Sequence, residues 1–312
     1  MSREFYSRRE FVRASAVSSA TLALTMQSSR LASGADDDNR GELSTLICFI
    51  KPFQNLPFDQ IADTVAEVGW AGAEIPVRQD GTIQPARVEE DLPRLAEALA
   101  KRKIEFTIIA TDAEDADDAL TQKVLQTAAK AGIRRYRTKH LRYDLKKPIP
   151  PQLENFRAKI RGLAALNKEL HLQGTIQNHS GNNYLGAPVW DIWEIIRDLD
   201  PKHMAMYFDI GHATLEGGLS WPLQVKLMES YFATVSVKDF TWNKSQKSAH
   251  RWQADWCPLG EGMVQPEFFK SLKQSGFLGP LSQHFEYPVS SGQEMISAMK
   301  KDVATLKRWL AV

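Results

Sequence analysis

The chain has 312 residues, a formal net charge of +1, 43% hydrophobic and 25% charged residues, the make-up of a soluble globular protein. That near-neutral balance leaves no electrostatic footprint for nucleic acid, and no uninterrupted apolar run is long enough to span a bilayer. Two cysteines, Cys48 and Cys257, allow one disulfide at most, and Cys48 lies inside an apolar strand pattern, which favours a buried free thiol.

In chain order the first element is a targeting segment. Ser7-Arg8-Arg9-Glu10-Phe11-Val12-Arg13 resembles the twin-arginine export signal, an uncharged Ala/Ser/Thr/Leu stretch follows over 14–29, and the small residues Ala32-Ser33-Gly34-Ala35 offer a cleavage region. Residues 1–35 are therefore expected to be a twin-arginine signal peptide, 36–42 a polar linker, and 43–312 the folded part of an exported, periplasmic protein. Removing 1–35 takes away five arginines and two glutamates, so the charge of +1 becomes −2.

From residue 43 onward strand and helix patterns alternate. Strands are expected at 43–50, 72–76, 105–111, 133–139, 172–179, 203–210, 233–239 and 281–287. Between them lie stretches with apolar spacing near 3.6 residues: Ile61-Val65-Val68, Leu92-Leu95-Leu99, Leu120-Val124-Leu125 and Phe156-Ile160-Leu163-Leu166. A last helix is expected near 293–310. Pro57, Pro150-Pro151 and Pro266 stand at helix starts, and Gly69, Gly132 and Gly276 where helices hand over to strands. Asp112 to Asp118 reads as the solvated acidic start of a helix. Eight βα units with nearly continuous apolar strands predict a single-domain (β/α)8 TIM barrel. The runner-up is an open doubly wound sheet. It lacks support because ICFIKPFQN after the first strand is not G-x-G-x-x-G, which also argues against a nucleotide cofactor. One connection, 240–264, reads as a long structureless loop at the catalytic face, holding Trp242, Trp252 and Trp256. Its rings either anchor the loop to the barrel or stack on a sugar face.

The strand ends in the second half carry the chemistry. GTIQNH, MAMYFDIGH, TVSVKD and LSQHFE place Gln177-Asn178-His179, Asp209 and His212, Lys238-Asp239, and His284 with Glu286 at the carboxyl ends of successive strands. Alternation puts Gln177 with His179, Ser236 with Lys238, and His284 with Glu286 on shared faces. In a β/α barrel such ends converge on one spot. Lys238 is either a site cation or the member of a strand-end salt bridge to Glu74 or Asp239. Arg137 and Lys139 share a face of the fourth strand; they either meet a ligand carboxylate or phosphate or belong to a basic surface run over 134–140.

These segments together resemble the xylose isomerase-like barrel superfamily, with its sugar phosphate isomerases and epimerases and its ketose 3-epimerases. GWAGAEI is similar to the family's second strand, with Glu74 in the acidic position. QNHSG resembles E-N-H-x-G of strand five, FDIGH the D-x-G-H of strand six, and VSVKD the H-x-K-D of strand seven. PLGEGMV and GPLSQHFEY resemble the approach to strand eight and its terminal glutamate. The resemblance covers the chain from residue 43 on. It implies a divalent ion (manganese, magnesium or zinc) held at Gln177, Asp209, Ser236 and Glu286, with Gln177 and Ser236 departing from the family's Glu and His. It further implies an enzyme acting next to a carbonyl of a sugar or keto-sugar through an enediolate. Glu286, His179, His212 and Lys238 are the catalytic candidates. Glu74, Arg137, Lys139, Asn178, His284, Trp242 and Trp256 are the candidates for binding a small carbohydrate. An amide at 177 cannot exchange a proton near neutral pH as the family's carboxylate does, so beside the isomerase or epimerase that the resemblance implies stands a one-base reaction: isomerisation, or elimination from a 3-keto-glycoside. A catalytically inactive sugar-binding protein is the alternative of another class. A DNA-cutting branch of the superfamily uses a far richer zinc cluster than this chain offers.

Overall fold

The structure is a computed structural model and describes residues 45–244 and 252–311. The expected signal peptide (1–35) and linker (36–42) lie outside the described residues. Numbered in chain order, the strands are β1 (Leu46–Phe49), β2 (Gly72–Val77), β3 (Glu105–Thr111), β4 (Arg135–Arg137), β5 (Gln173–Gln177), β6 (Met204–Asp209), β7 (Phe232–Val237), β8 (Asp239–Lys244), β9 (Trp252–Cys257) and β10 (Leu281–Gln283). Eight of them close into a parallel barrel in the order β1-β10-β7-β6-β5-β4-β3-β2. β1 seals it, pairing with β2 on one side and β10 on the other. All eight expected strands are present, most shortened at one or both ends. The ladder of β10 stops at Gln283, so His284 and Glu286 stand on the chain just beyond it, with the His284 N–H donating to the Val237 carbonyl at 2.9 Å.

The helices are α1 (Phe58–Val68), α2 (Val88–Lys101), α3 (Ala119–Lys130), α4 (Ile149–Leu170), α5 (Trp190–Ile196), α6 (Ile210–Gly217), α7 (Trp221–Met228), α8 (Glu267–Gln274) and α9 (Gln293–Leu310). Their apolar stripes meet the outer face of the barrel. Ile61 and Val65 of α1 and Leu92, Leu95 and Leu99 of α2 are fully buried, each contributing roughly 1.5–3 kcal/mol relative to exposure. α1 ends where Gly69 takes φ +90° and its N–H bonds back to Val65 and Ala66, a conformation that costs a residue with a Cβ. On α3 the expected stripe shifts. The Asp118 carboxylate caps the helix by accepting from the Thr121 N–H at 2.7 Å, so the buried face is Thr121, Val124, Leu125 and Ala128. Leu120 falls outside that i, i+3, i+4, i+7 set and is 44% exposed.

The main hydrophobic core lies between strands and helices. Inside the barrel the residues are polar instead: Glu74, Arg137, Gln177, Tyr207, Asp209 and Ser282 are all buried. Cys48 is a buried free thiol and Cys257 is also unpaired. Among the described residues no helix is long and apolar enough to cross a membrane.

The stretch 240–264 is not structureless. β8 and β9 form an antiparallel hairpin with Phe240 opposite Trp256, Trp242 opposite Ala254 and Lys244 opposite Trp252. The Phe-Thr-Trp-Asn-Lys alternation is strand-like, but no short turn signal joins its two halves, which hid it in the sequence. Behind the hairpin the chain folds onto Asp239, whose carboxylate accepts from the N–H groups of Phe240, Gly260, Gly262 and Val264 at 2.9–3.0 Å. Only glycine fits at 262, since a Cβ there would lie 2.3 Å from both Asp239 Oδ1 and the Phe240 carbonyl.

Candidate active site

The carboxyl ends of β5, β6, β7 and β10 bring the expected polar set together around one ammonium group. Lys238, one residue past β7, is 4% exposed. Its Nζ lies 2.7 Å from His212 Nε2, 3.2 Å from Asp209 Oδ2 and 3.2 Å from Glu286 Oε1. Three N–H donors thus meet three acceptors. The Trp256 ring of β9 covers the same charge, with its centroid 4.5 Å from Nζ. Asp209 is fully buried. Besides Lys238, its carboxylate accepts from the Gln177 amide at 2.8 Å and from the His212 backbone N–H at 2.9 Å, which caps α6. Asn178 ties both ends of its amide to the Asp209 backbone, at 2.7 and 2.9 Å, and so fixes that residue.

His212 is buried, and burial, then Lys238 and His179, push its imidazole well below its ordinary pKa. It is neutral, and its hydrogen bonds assign the tautomer. Nε2 accepts from Lys238, so Nδ1–H donates to Ser180 Oγ at 2.8 Å. Both nitrogens are committed. His179 differs. Burial, then Lys238, bring its pKa down to about 4. Its Nδ1–H donates to the Ser180 carbonyl at 2.8 Å, and its Nε2 makes no hydrogen bond among the described residues. The ring is held by Tyr184, stacked at 4.3 Å, and by His212 at 4.0 Å. Asp191 braces the loop that carries Tyr184, accepting from Gly186 N–H at 2.9 Å and Tyr143 hydroxyl at 3.0 Å.

A second buried cluster lies inside the barrel. The Glu74 carboxylate accepts from Arg137 Nε at 3.2 Å, Tyr207 hydroxyl at 2.5 Å, Ser282 hydroxyl at 2.6 Å and His284 Nε2 at 3.3 Å. Burial alone would raise its pKa; His284, Arg137 and Ser282 outweigh burial and bring it to about 2. His284 links the clusters, with Nδ1 4.0 Å from Glu286 Oε1. Glu286 keeps 22% of its side chain exposed. Burial works against its charge, but Lys238 and His284 win and hold its pKa at about 2.

Several sequence expectations change in this light. Arg137 is no part of a basic surface run: it is 3% exposed and paired to Glu74. Lys139 does not join it, because the chain leaves the ladder after Arg137; its ammonium pairs with Glu114 at 2.8 Å, half exposed. Lys238 bonds neither Glu74 nor Asp239. Trp256 reaches the site, whereas Trp242 is 43% exposed farther out on the hairpin. Tyr207, Ser282, Ser180 and Tyr184 were overlooked. Period-two alternation would have found two of them, since Tyr207 shares a face with Asp209, and Ser282 with His284.

A divalent ion does not fit this donor set. Asp209 can only accept, so the Gln177 amide turns its NH2, not its oxygen, toward the centre. The Ser236 hydroxyl is buried and makes no hydrogen bond. Hard cations need several oxygen ligands at about 2.0–2.6 Å, and the two carboxylates are already joined by the ammonium. No group of three or more His, Cys, Asp or Glu among the described residues is placed to hold a metal.

A model of the xylose isomerase-like TIM barrel family matches residues 62–309. The chain belongs to that family. Among solved structures, this family member is similar to a xylose isomerase-like TIM barrel protein from Mycobacterium smegmatis in complex with magnesium. The identity is 13% and the TM-score 0.63, over 86% of this chain and 97% of that one. It is likewise similar to a D-psicose 3-epimerase in the presence of D-fructose (13%, TM-score 0.62, 86% and 100% covered). A third is the apo 3-keto-D-glucoside 4-epimerase from E. coli (13%, TM-score 0.61, 86% and 100% covered). At such identities the likeness establishes the fold. No curated protein matches the sequence.

Proposed function

We propose that this xylose isomerase-like barrel is an exported, periplasmic enzyme that removes a proton from a carbon next to the carbonyl of a sugar or keto-sugar. Glu286 is the base, and Lys238 stabilises the enediolate oxygen. The observation that carries this reading is the pairing of an ionised, partly open carboxylate with an ammonium 3.2 Å away, at the mouth of a barrel similar to those of sugar epimerases. When a substrate oxygen takes one of the ammonium's hydrogen bonds, the hold of Lys238 on Glu286 weakens. Burial then raises the basicity of the carboxylate. His179 has the free imidazole nitrogen and is the group that hands a proton to, or orients, a substrate hydroxyl. His212, with both nitrogens engaged, positions Lys238. Trp256 and, farther out, Trp242 offer flat apolar faces to sugar C–H groups.

One specific feature favours a second outcome of the same chemistry. Gln177 stands where a second carboxylate would return the proton on the opposite face, and its amide is tied to Asp209. Elimination from a 3-keto-glycoside needs the single base only, and the similarity to a 3-keto-D-glucoside 4-epimerase makes 3-keto-glycosides the first substrates to try.

Incubating the mature protein with keto-sugars and 3-keto-glucosides in D2O, followed by NMR, tests the proposal. Deuterium at the carbon next to the carbonyl supports isomerase or epimerase chemistry, and release of the aglycone supports the lyase. Glu286→Gln is expected to slow either at least 100-fold with the fold intact. A rate unchanged by that substitution refutes the assignment. Sugar binding without exchange or turnover, unaffected by Asp209→Ala with Glu286→Ala, refutes it in favour of a binding protein.

A further inference from the structure

We infer that the Lys238 ammonium is the resident cation of this site: it fills the place between Asp209 and Glu286 that a divalent ion would take, so the protein works without a metal. Three features of the structure argue for a built position rather than a lysine that happens to lie nearby.

The first is valence. Each N–H of Lys238 has an acceptor, and the acceptors come from two strand ends: Asp209, which closes β6, with His212 in the helix that follows it, and Glu286 beyond β10. A lysine acting as an ordinary strand-end salt bridge does not need a neutral imidazole whose lone pair is directed at it. His212 is held in that tautomer by Ser180, so the imidazole acts as a fixed acceptor for the ammonium.

The second is steric. A Cβ on Gly211 would lie 2.7 Å from Lys238 Cγ and 3.0 Å from its carbonyl oxygen. The start of α6 therefore packs directly on the lysine stem, and the Trp256 ring closes over the charged end. Stem and head are both confined, which orients the charge without much loss of side-chain entropy on ligand binding.

The third is the chemistry of the donors. The neutral amide of Gln177 presents N–H to Asp209, and Ser236 offers an unbonded hydroxyl. Two carboxylates and one ammonium remain. That set matches a monocation with three donors and falls short of the several oxygens a hard dication requires. An ammonium can also do what a Lewis acid does for an enediolate, by hydrogen bonding and charge, without changing its own coordination. This last point rests on the function proposed above; the occupancy of the cation position does not.

The test separates the two. Purified mature protein is titrated with Mn2+, Mg2+ and Zn2+ by calorimetry, with metal content measured directly and unfolding temperature recorded. The expected result for the native chain is no stoichiometric ion and no metal-dependent rise in unfolding temperature. In Lys238→Met, which keeps the stem and removes the charge, Asp209, Glu286 and His212 are freed. Binding of Mn2+ or Zn2+ is expected to tighten at least about 10-fold. One ion per native chain with a dissociation constant near 10 µM or below, within the range of dedicated protein sites, overturns the inference, and this arm needs no variant to fold. If the native chain excludes metal yet turns over no sugar, the cation assignment stands and the proposed function falls. If turnover is found and EDTA abolishes it, the inference falls and the function stands.

Discussion

Glu74 was expected to touch substrate, but the structure makes it the anchor of the barrel interior, and Glu74→Gln measures how much depends on it. The carboxylate is fully buried and accepts four hydrogen bonds, one from an Arg137 guanidinium that is itself 3% exposed. The amide removes the charge, offers an NH2 to groups that are already donors, and strands the buried guanidinium. Breaking one side of such a pair costs about 3–5 kcal/mol. The depressed pKa gives a similar figure: a fall from 4.5 to about 2 corresponds to about 3 kcal/mol of native-state preference for the charged form. At roughly 2–4 °C per kcal/mol for a domain of this size, unfolding followed by circular dichroism at pH 7 should begin about 6–20 °C lower. A depressed carboxylate pKa adds stability that is complete above the unfolded value and is lost as pH falls through the folded one. The gap between wild type and variant should therefore narrow from pH 5 to pH 2.5. Replacing both members, Glu74→Gln with Arg137→Met, should recover part of the loss, since no charge is then stranded. An unfolding temperature within about 2 °C of wild type at pH 7, or a gap that does not change with pH, would refute the reasoning.

Asp302 tests the opposite sign. It is 4% exposed and accepts from Leu259 N–H and the Tyr287 hydroxyl, each at 3.1 Å, and burial pushes its pKa up to about 6. A raised carboxylate pKa contributes stability that is complete below the unfolded value and is lost as pH rises through about 6. Asp302→Asn should therefore weaken the fall in unfolding temperature between pH 5 and pH 8 by the equivalent of about 1.4 kcal/mol; identical pH slopes in the two proteins would sink the idea. Asp239→Asn places an NH2 or a single oxygen where the carboxylate now accepts four backbone N–H groups. An unfolding free energy lower by about 2–4 kcal/mol, read from denaturant titration, is expected, with the tryptophan fluorescence of the hairpin changing before the far-ultraviolet signal. Simultaneous, unshifted transitions would contradict that pin.

The order of the eight barrel strands and the helices between them was legible because buried parallel strands and amphipathic helices write their periods directly into the chain. The location of the site was legible for the same reason: polar residues after Ile176, Phe208, Val237 and Gln283 interrupt apolar strands at their carboxyl ends, where barrel chemistry gathers. The β8–β9 hairpin was not, because its halves are separated by more residues than a tight turn and resemble a loop until they are paired. Nor was the burial of Arg137, which sits in a run of basic residues yet is 3% exposed and paired to Glu74.

What the sequence by itself determined was the barrel and the strand-end positions, since these follow from local pattern and residue identity; the departures at Gln177 and Ser236 follow from the family resemblance. Only the tertiary structure decided which charges meet. Lys238 and Glu286 lie 48 residues apart, and Glu74 and Ser282 208. Contacts at such separations depend on how the closed sheet staggers its strands, which no local pattern records. That closure gave Lys238 its three acceptors, committed both nitrogens of His212 while leaving one of His179 free, and turned Glu74 from a substrate ligand into the support beneath them.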